Sequence, residues 1–349
     1  MTSRSVKHAS NGGVGTRSGG APAPFPDSGL VPPEQALDVA CHALEYRSPA
    51  YSAHSVLARW QRAILISVVV LFLLGLVFLP WVTGVVVVAL ATASYIWALG
   101  FRFLIFKHGA RGGRMMKITD EDARAFPDDR LPVYTVLVPV FKEPLIEELV
   151  EALERIEYPR EKLDIRLLLE ADDTETIAAA SRLRPRAHLT VIQVPRAEPQ
   201  TKPKACNYGL LTARGTLCTI FDAEDQPDPL QLRKAVLALE RLGPEYACVQ
   251  ARLGFYNSRQ NLLTRWFTLD YGAWFGNMLP GLVDISAPIP LGGTSNHFRV
   301  DVLKAVGAWD PWNVTEDADL GLRLHRAGHQ VGVLDSTTLE EANPDLINW

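Results

Sequence analysis

The 349-residue chain is poor in the features that mark several function classes. It has only four cysteines, Cys41, Cys206, Cys218 and Cys248, with no Cys-x-x-Cys and no clustered histidine. That argues against a zinc site and against a disulfide framework. Their lone, mostly apolar settings suit free thiols in a reducing compartment. The net charge of −4 supplies no basic footprint, so nucleic acid is not an expected partner. No Gly-x-Gly-x-x-Gly follows the first expected strand, and no Gly-x-x-x-x-Gly-Lys-Ser/Thr is present. A dinucleotide oxidoreductase and a P-loop ATPase are therefore disfavoured. The eight histidines are scattered, as structural or surface histidines are.

Apolar residues are equally scarce in the first 33 positions, which hold six Gly and five Pro. Such a stretch cannot bury enough surface to offset its ordering entropy, and a disordered tail is expected there. An imperfect apolar stripe then predicts a short helix over 34–46, within a juxtamembrane segment 34–62. From Ala63 to Phe106, 44 residues carry no charge except Arg102. At ~1.5 Å per residue that is about 66 Å of helix, against a hydrocarbon core of ~30 Å. Two spans fit, near 63–80 and 84–104, broken at Pro80 to Gly84, with Trp81 suited to the interface. Arg47, Arg59 and Arg62 precede the hairpin, and Arg102, Lys107, Arg111, Arg114 and Lys117 follow it. Both ends should face the cytosol by the positive-inside rule. A basic, then acidic linker is expected over 107–131.

From Pro132 onward, short apolar runs alternate with helical patterns. Strands are expected over 133–138, 165–169, 189–194, 217–221 and 246–250, with helices over 145–156, 174–183, 204–212 and 230–242. This βαβα order predicts an α/β domain over 132–349 with a doubly wound, mostly parallel sheet. Polar residues gather where strands end: Pro139 to Glu143, then Glu170 to Asp173, then Lys202, Lys204 and Asn207 before a helix, then Asp222, Glu224 and Asp225. One such end is ordinary capping, whereas four on consecutive units mark a ligand crevice. The acids after 217–221 suit a hard divalent cation, since Mg²⁺ takes one or two carboxylates and completes its shell with water and phosphate. Asp228-Pro229 already meets the capping need of the next helix. Leu291 to Arg299 is a small-residue loop whose glycines allow a ligand close to the backbone. Thr315 can cap a helix over 318–327, with Glu316 and Asp317 favouring its dipole. The aromatic-rich stretch from Leu262 to Phe275 suits either a helix on the membrane surface or core packing.

Together, Asp172-Asp173, Asp222-Ala223-Glu224-Asp225 and Thr315-Glu316-Asp317 resemble the motifs of family-2 inverting glycosyltransferases. The chain is most similar to the membrane-embedded branch of cellulose synthase and bacterial polysaccharide synthases. The resemblance covers about residues 132–349 and implies a GT-A fold, Rossmann-like, behind a two-helix transmembrane hairpin. It implies that Pro139, Phe141, Glu143 and Asp172 hold the uridine of a UDP-sugar, with Lys204 and Asn207 near the diphosphate. Asp222 and Glu224, or Asp225, would bind Mg²⁺ or Mn²⁺. Asp317 would be the general base beside Glu316, with the Gly292–Asn296 loop, including Gly293, Thr294 and Ser295, near the acceptor. The implied reaction adds a hexose to a β-linked exopolysaccharide at a bacterial inner membrane. A polyprenyl-phosphate or other lipid acceptor is the first alternative, and a catalytically silent nucleotide sensor or scaffold is the second. Most relatives carry Asp at the position of Glu224. Processive members also carry Gln-x-x-Arg-Trp after the base, followed by further membrane helices. Neither occurs before Trp349, so a truncated chain is expected, with Asn343-Pro344 opening an unfinished helix.

Overall fold

The computed structural model describes residues 33–111, 114–142 and 146–345. The expected tail therefore lies outside the described residues except for Pro33, as does Glu143. The charge-poor stretch forms two helices, Arg59–Phe78 and Pro80–Ala110, each long and apolar enough to cross a membrane. Their large apolar side chains, from Ile64 to Phe106, are almost all exposed, as lipid-facing residues are. The break falls at Leu79 alone and not across 80–84. Pro80 lacks an N–H and has its φ preset, so it opens the second helix instead of prolonging the turn.

The second helix has 31 residues and outruns a bilayer core, and its far end is bolted to the domain that follows. A Cβ at Gly109 would stand 1.9 Å from the Asn277 carbonyl oxygen, and one at Gly281 would stand 2.2 Å from that of Ile105. His108 Nδ1 lies 2.6 Å from Asp284 Oδ2. The leading end is anchored too. Helix Pro33–Arg47 packs on helix Lys202–Leu211, where Asn207 Nδ2 donates to Ala40 O at 3.0 Å, and its Ala36, Ala40 and Leu44 are buried. Residues 33–54 thus join the α/β body and are not a separate juxtamembrane piece, because their small apolar residues fit that helix. Both ends of the hairpin meet the same body.

Nine strands form one sheet among the described residues: β1 (Met115–Met116), β2 (Tyr134–Val140), β3 (Leu163–Glu170), β4 (Leu189–Val194), β5 (Leu217–Ile220), β6 (Gln226–Pro227), β7 (Tyr246–Phe255), β8 (Asn296–Arg299) and β9 (Gln330–Glu340). The order is β1-β9-β7-β8-β5-β2-β3-β4, with β6 beside β9. β2 runs parallel to β3 and β5, and β3 parallel to β4. β8 is antiparallel to both its neighbours, and β6 to β9. The expected linker contributes β1 and helix Asp120–Ala125, capped by Thr119 Oγ1, which accepts from Asp122 N at 3.0 Å.

The alternation of side chains explains why these strands read as unbroken apolar runs. Along β2, Leu137 faces one core with Cys206, Phe298 and Leu320, while Val136 and Val138 face the other with Leu149, Leu167 and Val236. Helices Ile146–Glu154 and Gln231–Leu242 cover the second face, and helices Lys202–Leu211 and Glu316–Arg326 the first. Asp228 does not cap its helix. Its Oδ1 accepts from Leu230 N at 3.0 Å and its Oδ2 from Lys234 Nζ at 2.6 Å. Within the described part of the C-terminal stretch, 341–345 has no helix, and Asn343 Oδ1 accepts from Asp345 N at 3.0 Å.

Candidate active site

Parallel β2, β3 and β5 bring their carboxyl ends to one edge. The antiparallel β8 delivers the loop before it to that same edge. Ser295 N donates to Ile220 O at 2.9 Å and closes the junction. A cleft of about 460 Å³ opens there, lined by Pro139, Phe141, Glu170, Gln200, Lys202 and Asp222 among others. That volume lies in the range of small-ligand pockets. Phe141 is 55% exposed beside the cleft, with Lys142 Nζ 5.1 Å from its ring centroid. Asp172 is exposed at the rim and accepts from Gln200 Nε2 at 2.9 Å. Its neighbour Asp173 is structural: it accepts from Lys142 N at 2.5 Å and Thr176 N at 3.1 Å, which pins the Phe141 turn to helix Thr174–Ala180.

Of Lys202 and Lys204, it is Lys202 that lines the cleft. Lys202 Nζ lies 2.6 Å from Asp222 Oδ1 and donates to Gly293 O at 2.7 Å. Burial opposes its charge, but Asp222 overrides that and holds it protonated. Lys204 is fully buried with its Nζ 2.8 Å from Glu170 Oε2, so it is committed to an internal ion pair. One helical turn separates facing positions, and residues two apart point to different sides. Asn207 also departs from expectation. Its Nδ2 donates to Ala40 O at 3.0 Å and to Trp309 O at 2.8 Å, and its Oδ1 accepts from Trp309 N at 3.2 Å. It is a buried cross-link with no group left for a diphosphate.

The acids after β5 differ from one another. Asp222 is half-buried, Glu224 exposed and Asp225 buried. Asp225 Oδ2 accepts from Asp222 N at 2.8 Å and from the Thr294 hydroxyl. Its Oδ1 is buried without a hydrogen-bond partner. Burial, then the charge of Asp222, pushes the Asp225 carboxyl well above the usual range. Glu340, at the end of β9, is raised to about 7 by burial and by Asp222 and Glu224, against a hydrogen bond from Tyr271. A hard divalent cation fits this donor set: an orphaned carboxylate oxygen and a half-open carboxylate in an acid-rich corner. Among the described residues, no three His, Cys, Asp or Glu side chains gather to enclose a metal by themselves. Thr294 and Ser295, expected near an acceptor, turn inward instead. Thr294 holds Asp225, and Ser295 Oγ donates to Thr338 Oγ1 at 2.6 Å. Small hydroxyl residues here position the acids and the loop.

Asp317 is buried in the first turn of helix Glu316–Arg326. Thr315 stands at the cap position, but its hydroxyl goes to Asn313 Oδ1 at 3.1 Å. Trp309 Nε1 donates to Asp317 Oδ1 at 3.1 Å. Oδ2 stays available: a side-chain carbon at Gly293 would stand 3.8 Å from it and 4.0 Å from Lys202 Nζ. Burial raises Asp317 to about 7, Glu316 adds to this, and Lys202 and the Trp309 bond oppose it. A carboxyl poised near neutrality suits proton transfer. Glu316 is half-buried beside it and is itself raised by burial. Trp309, Glu340 and Tyr271 carry no sequence signal of these roles; only the fold brings them to the acids.

Trp309→Phe removes the indole donor and keeps the ring. Losing a bond that favours the charged form raises the Asp317 pKa further. Activity that requires ionised Asp317 is lost as pH falls, so the acidic limb of the kcat–pH profile should move to higher pH. An unmoved limb would show that this bond does not tune the base.

Residues 132–346 match the family described as "Glycosyltransferase like family 2", and the chain belongs to that family. A probable glycosyltransferase, YdaM, from Bacillus subtilis is 22% identical over 221 residues, 62% of this chain and 52% of that protein. A probable glucomannan 4-beta-mannosyltransferase 1 from Arabidopsis thaliana is 24% identical over 286 residues, 77% of this chain and 51% of that one. A beta-monoglucosyldiacylglycerol synthase from Synechocystis is 26% identical over 239 residues, 65% of this chain and 48% of that one. The chain spans about half the length of these relatives. Among solved structures, the mannosyltransferase PcManGT from Pyrobaculum calidifontis, in complex with GDP-Man and Mn²⁺, superposes with a TM-score of 0.55 at 21% identity. That match covers 74% of this chain and 69% of the other, and it agrees with a GT-A fold.

Proposed function

We propose that the chain is a membrane-bound inverting hexosyltransferase that moves a sugar from a UDP-sugar to a growing β-linked polysaccharide. The carrying observation is the buried Asp317 carboxyl, with one free oxygen, beside the Lys202–Asp222 pair at the edge of the cleft. Pro139, Phe141 and Asp172 line or rim the part of the cleft that would take the nucleoside. Lys202 would face the diphosphate as a point charge. Asp222, with Asp225 or Glu224, would hold Mg²⁺ or Mn²⁺, which neutralises charge growing on a leaving diphosphate.

Asp317 Oδ2 takes the acceptor hydroxyl's proton as that oxygen attacks the anomeric carbon. The bond from carbon to the diphosphate oxygen breaks, and the nucleoside diphosphate leaves with the electron pair. One displacement inverts the centre, so an α-linked donor gives a β-glycoside. Two relatives are named for β-linked products, which supports this outcome. A lipid acceptor is the second reading. One relative is named for a glycolipid, and Leu262, Trp266 and Leu269 lie exposed along one face of helix Leu262–Ala273. The stretch expected as either membrane helix or core is in fact split, with Phe275 buried and those three outward. The next segment packs on the long apolar helix, so this stripe would rest on the bilayer surface. Both hairpin ends would then face the cytosol of a bacterial cell membrane.

The test is transfer of labelled hexose from a panel of UDP- and GDP-sugars by the detergent-solubilised chain, followed by partition of the product. Label in an insoluble or aqueous polymer supports the polysaccharide reading, and label in the organic phase supports the lipid acceptor. Nucleotide binding with no transfer to either would leave the silent sensor.

A further inference from the structure

The segment before the membrane hairpin reaches the catalytic base. Asp310 is fully buried, and three donors satisfy its carboxylate. Ser52 Oγ donates to Oδ1 at 3.3 Å, Ala53 N to Oδ2 at 2.6 Å and Trp312 N to Oδ1 at 3.2 Å. Two of the three come from the pre-membrane segment, so without it a buried charge would keep a single partner, a costly arrangement. Trp312 Nε1 donates to Cys41 O at 3.2 Å, and the His54 ring lies 4.2 Å from the Trp312 ring. Trp309, one residue before Asp310, is held at its backbone N and O by Asn207, which also bonds Ala40 O. Its indole then holds Asp317 at 3.1 Å. The chain of contacts is continuous from residues 40–53 to the base.

We propose that residues 33–54 are a positioning element for Asp317, and that Asp310 is the positioning residue at which this element grips the 309–315 loop. This rests on the glycosyltransferase reading of Asp317. Placement of a base to within about half an ångström governs the chemical step, whereas Asp222 and Phe141 stand on the loops after β5 and β2; Lys202 lies nearer the joint, since Thr201 Oγ1 donates to Pro311 O at 3.1 Å. The joint therefore controls turnover and not donor affinity.

The experiment compares the full chain with Asp310→Asn, Ala53→Pro and the double variant. Ala53→Pro breaks the same joint from the other side by deleting the N–H, which guards against a local effect of either change alone. The measurements are kcat, KM for the donor, nucleotide affinity, and amide hydrogen exchange over 309–317. Each single variant should lose about tenfold or more in kcat. KM and nucleotide affinity should hold, and exchange over 309–317 should rise. The double variant should be no worse than the worse single, as expected for two halves of one contact. Unchanged kcat and exchange in both singles would overturn the proposal, as would nucleotide affinity falling in step with kcat. If the unaltered chain transfers no sugar, the enzymatic reading fails first. The exchange data then report separately whether the joint holds the loop.

Discussion

Asp317→Asn is expected to abolish sugar transfer and to leave nucleotide binding close to that of the unaltered chain. The substitution keeps the shape and keeps an oxygen able to accept from Trp309 Nε1, so the loop should stay in place. It removes the group that takes the acceptor's proton, a loss of about 10²–10⁴-fold for general-base catalysis. The same change relieves a buried carboxyl crowded by Glu316, so the folded protein should be no less stable. Equal loss of transfer and of nucleotide affinity would place Asp317 in donor binding and not in proton transfer.

Asp222→Asn should weaken metal-dependent nucleotide binding by at least the ~10–100-fold lost when outer-shell partners of metal sites are removed. It also unpairs Lys202, whose ammonium is otherwise held 2.6 Å from Asp222 Oδ1. Lys202→Gln separates the two effects. It should weaken nucleotide binding with or without Mn²⁺, because it removes a charge aimed at the diphosphate and none aimed at the metal. Mn²⁺ titrations with UDP present, read by calorimetry or by the Mn²⁺ spin signal, distinguish these patterns. A metal dependence untouched by Asp222→Asn would move the ion to other carboxylates.

The hairpin and the alternating α/β order were legible because their causes are local. A charge-free run of membrane length and a period of βα units can be read without the fold. Boundaries moved where a single residue's chemistry decided them, as at Pro80, which starts a helix where a turn was expected. The acids after β5 and Asp317 stood out because strand ends and helix starts announce themselves in sequence. Lys202 and Lys204 did not separate, since they have the same charge two positions apart and only helix orientation tells which one faces the cleft. Asn207 looked like a polar site residue and is a core cross-link, because its partners come from residues 40 and 309. Glu340 enters through the antiparallel pairing of β6 with β9, in which Gln226 faces Leu339. No local pattern encodes that register. Trp309 is similar: its role rests on a hydrogen bond to a residue eight positions further on, across the loop before helix Glu316–Arg326.

The most direct measurement is release of nucleoside diphosphate from UDP-sugars by the purified full chain, with and without Mg²⁺ or Mn²⁺, beside Asp317→Asn under the same conditions. A metal-dependent release with one sugar, lost in Asp317→Asn while that variant still binds UDP, is the expected result. Release that is indifferent to metal and equally fast in Asp317→Asn would contradict a displacement run by this base at this site.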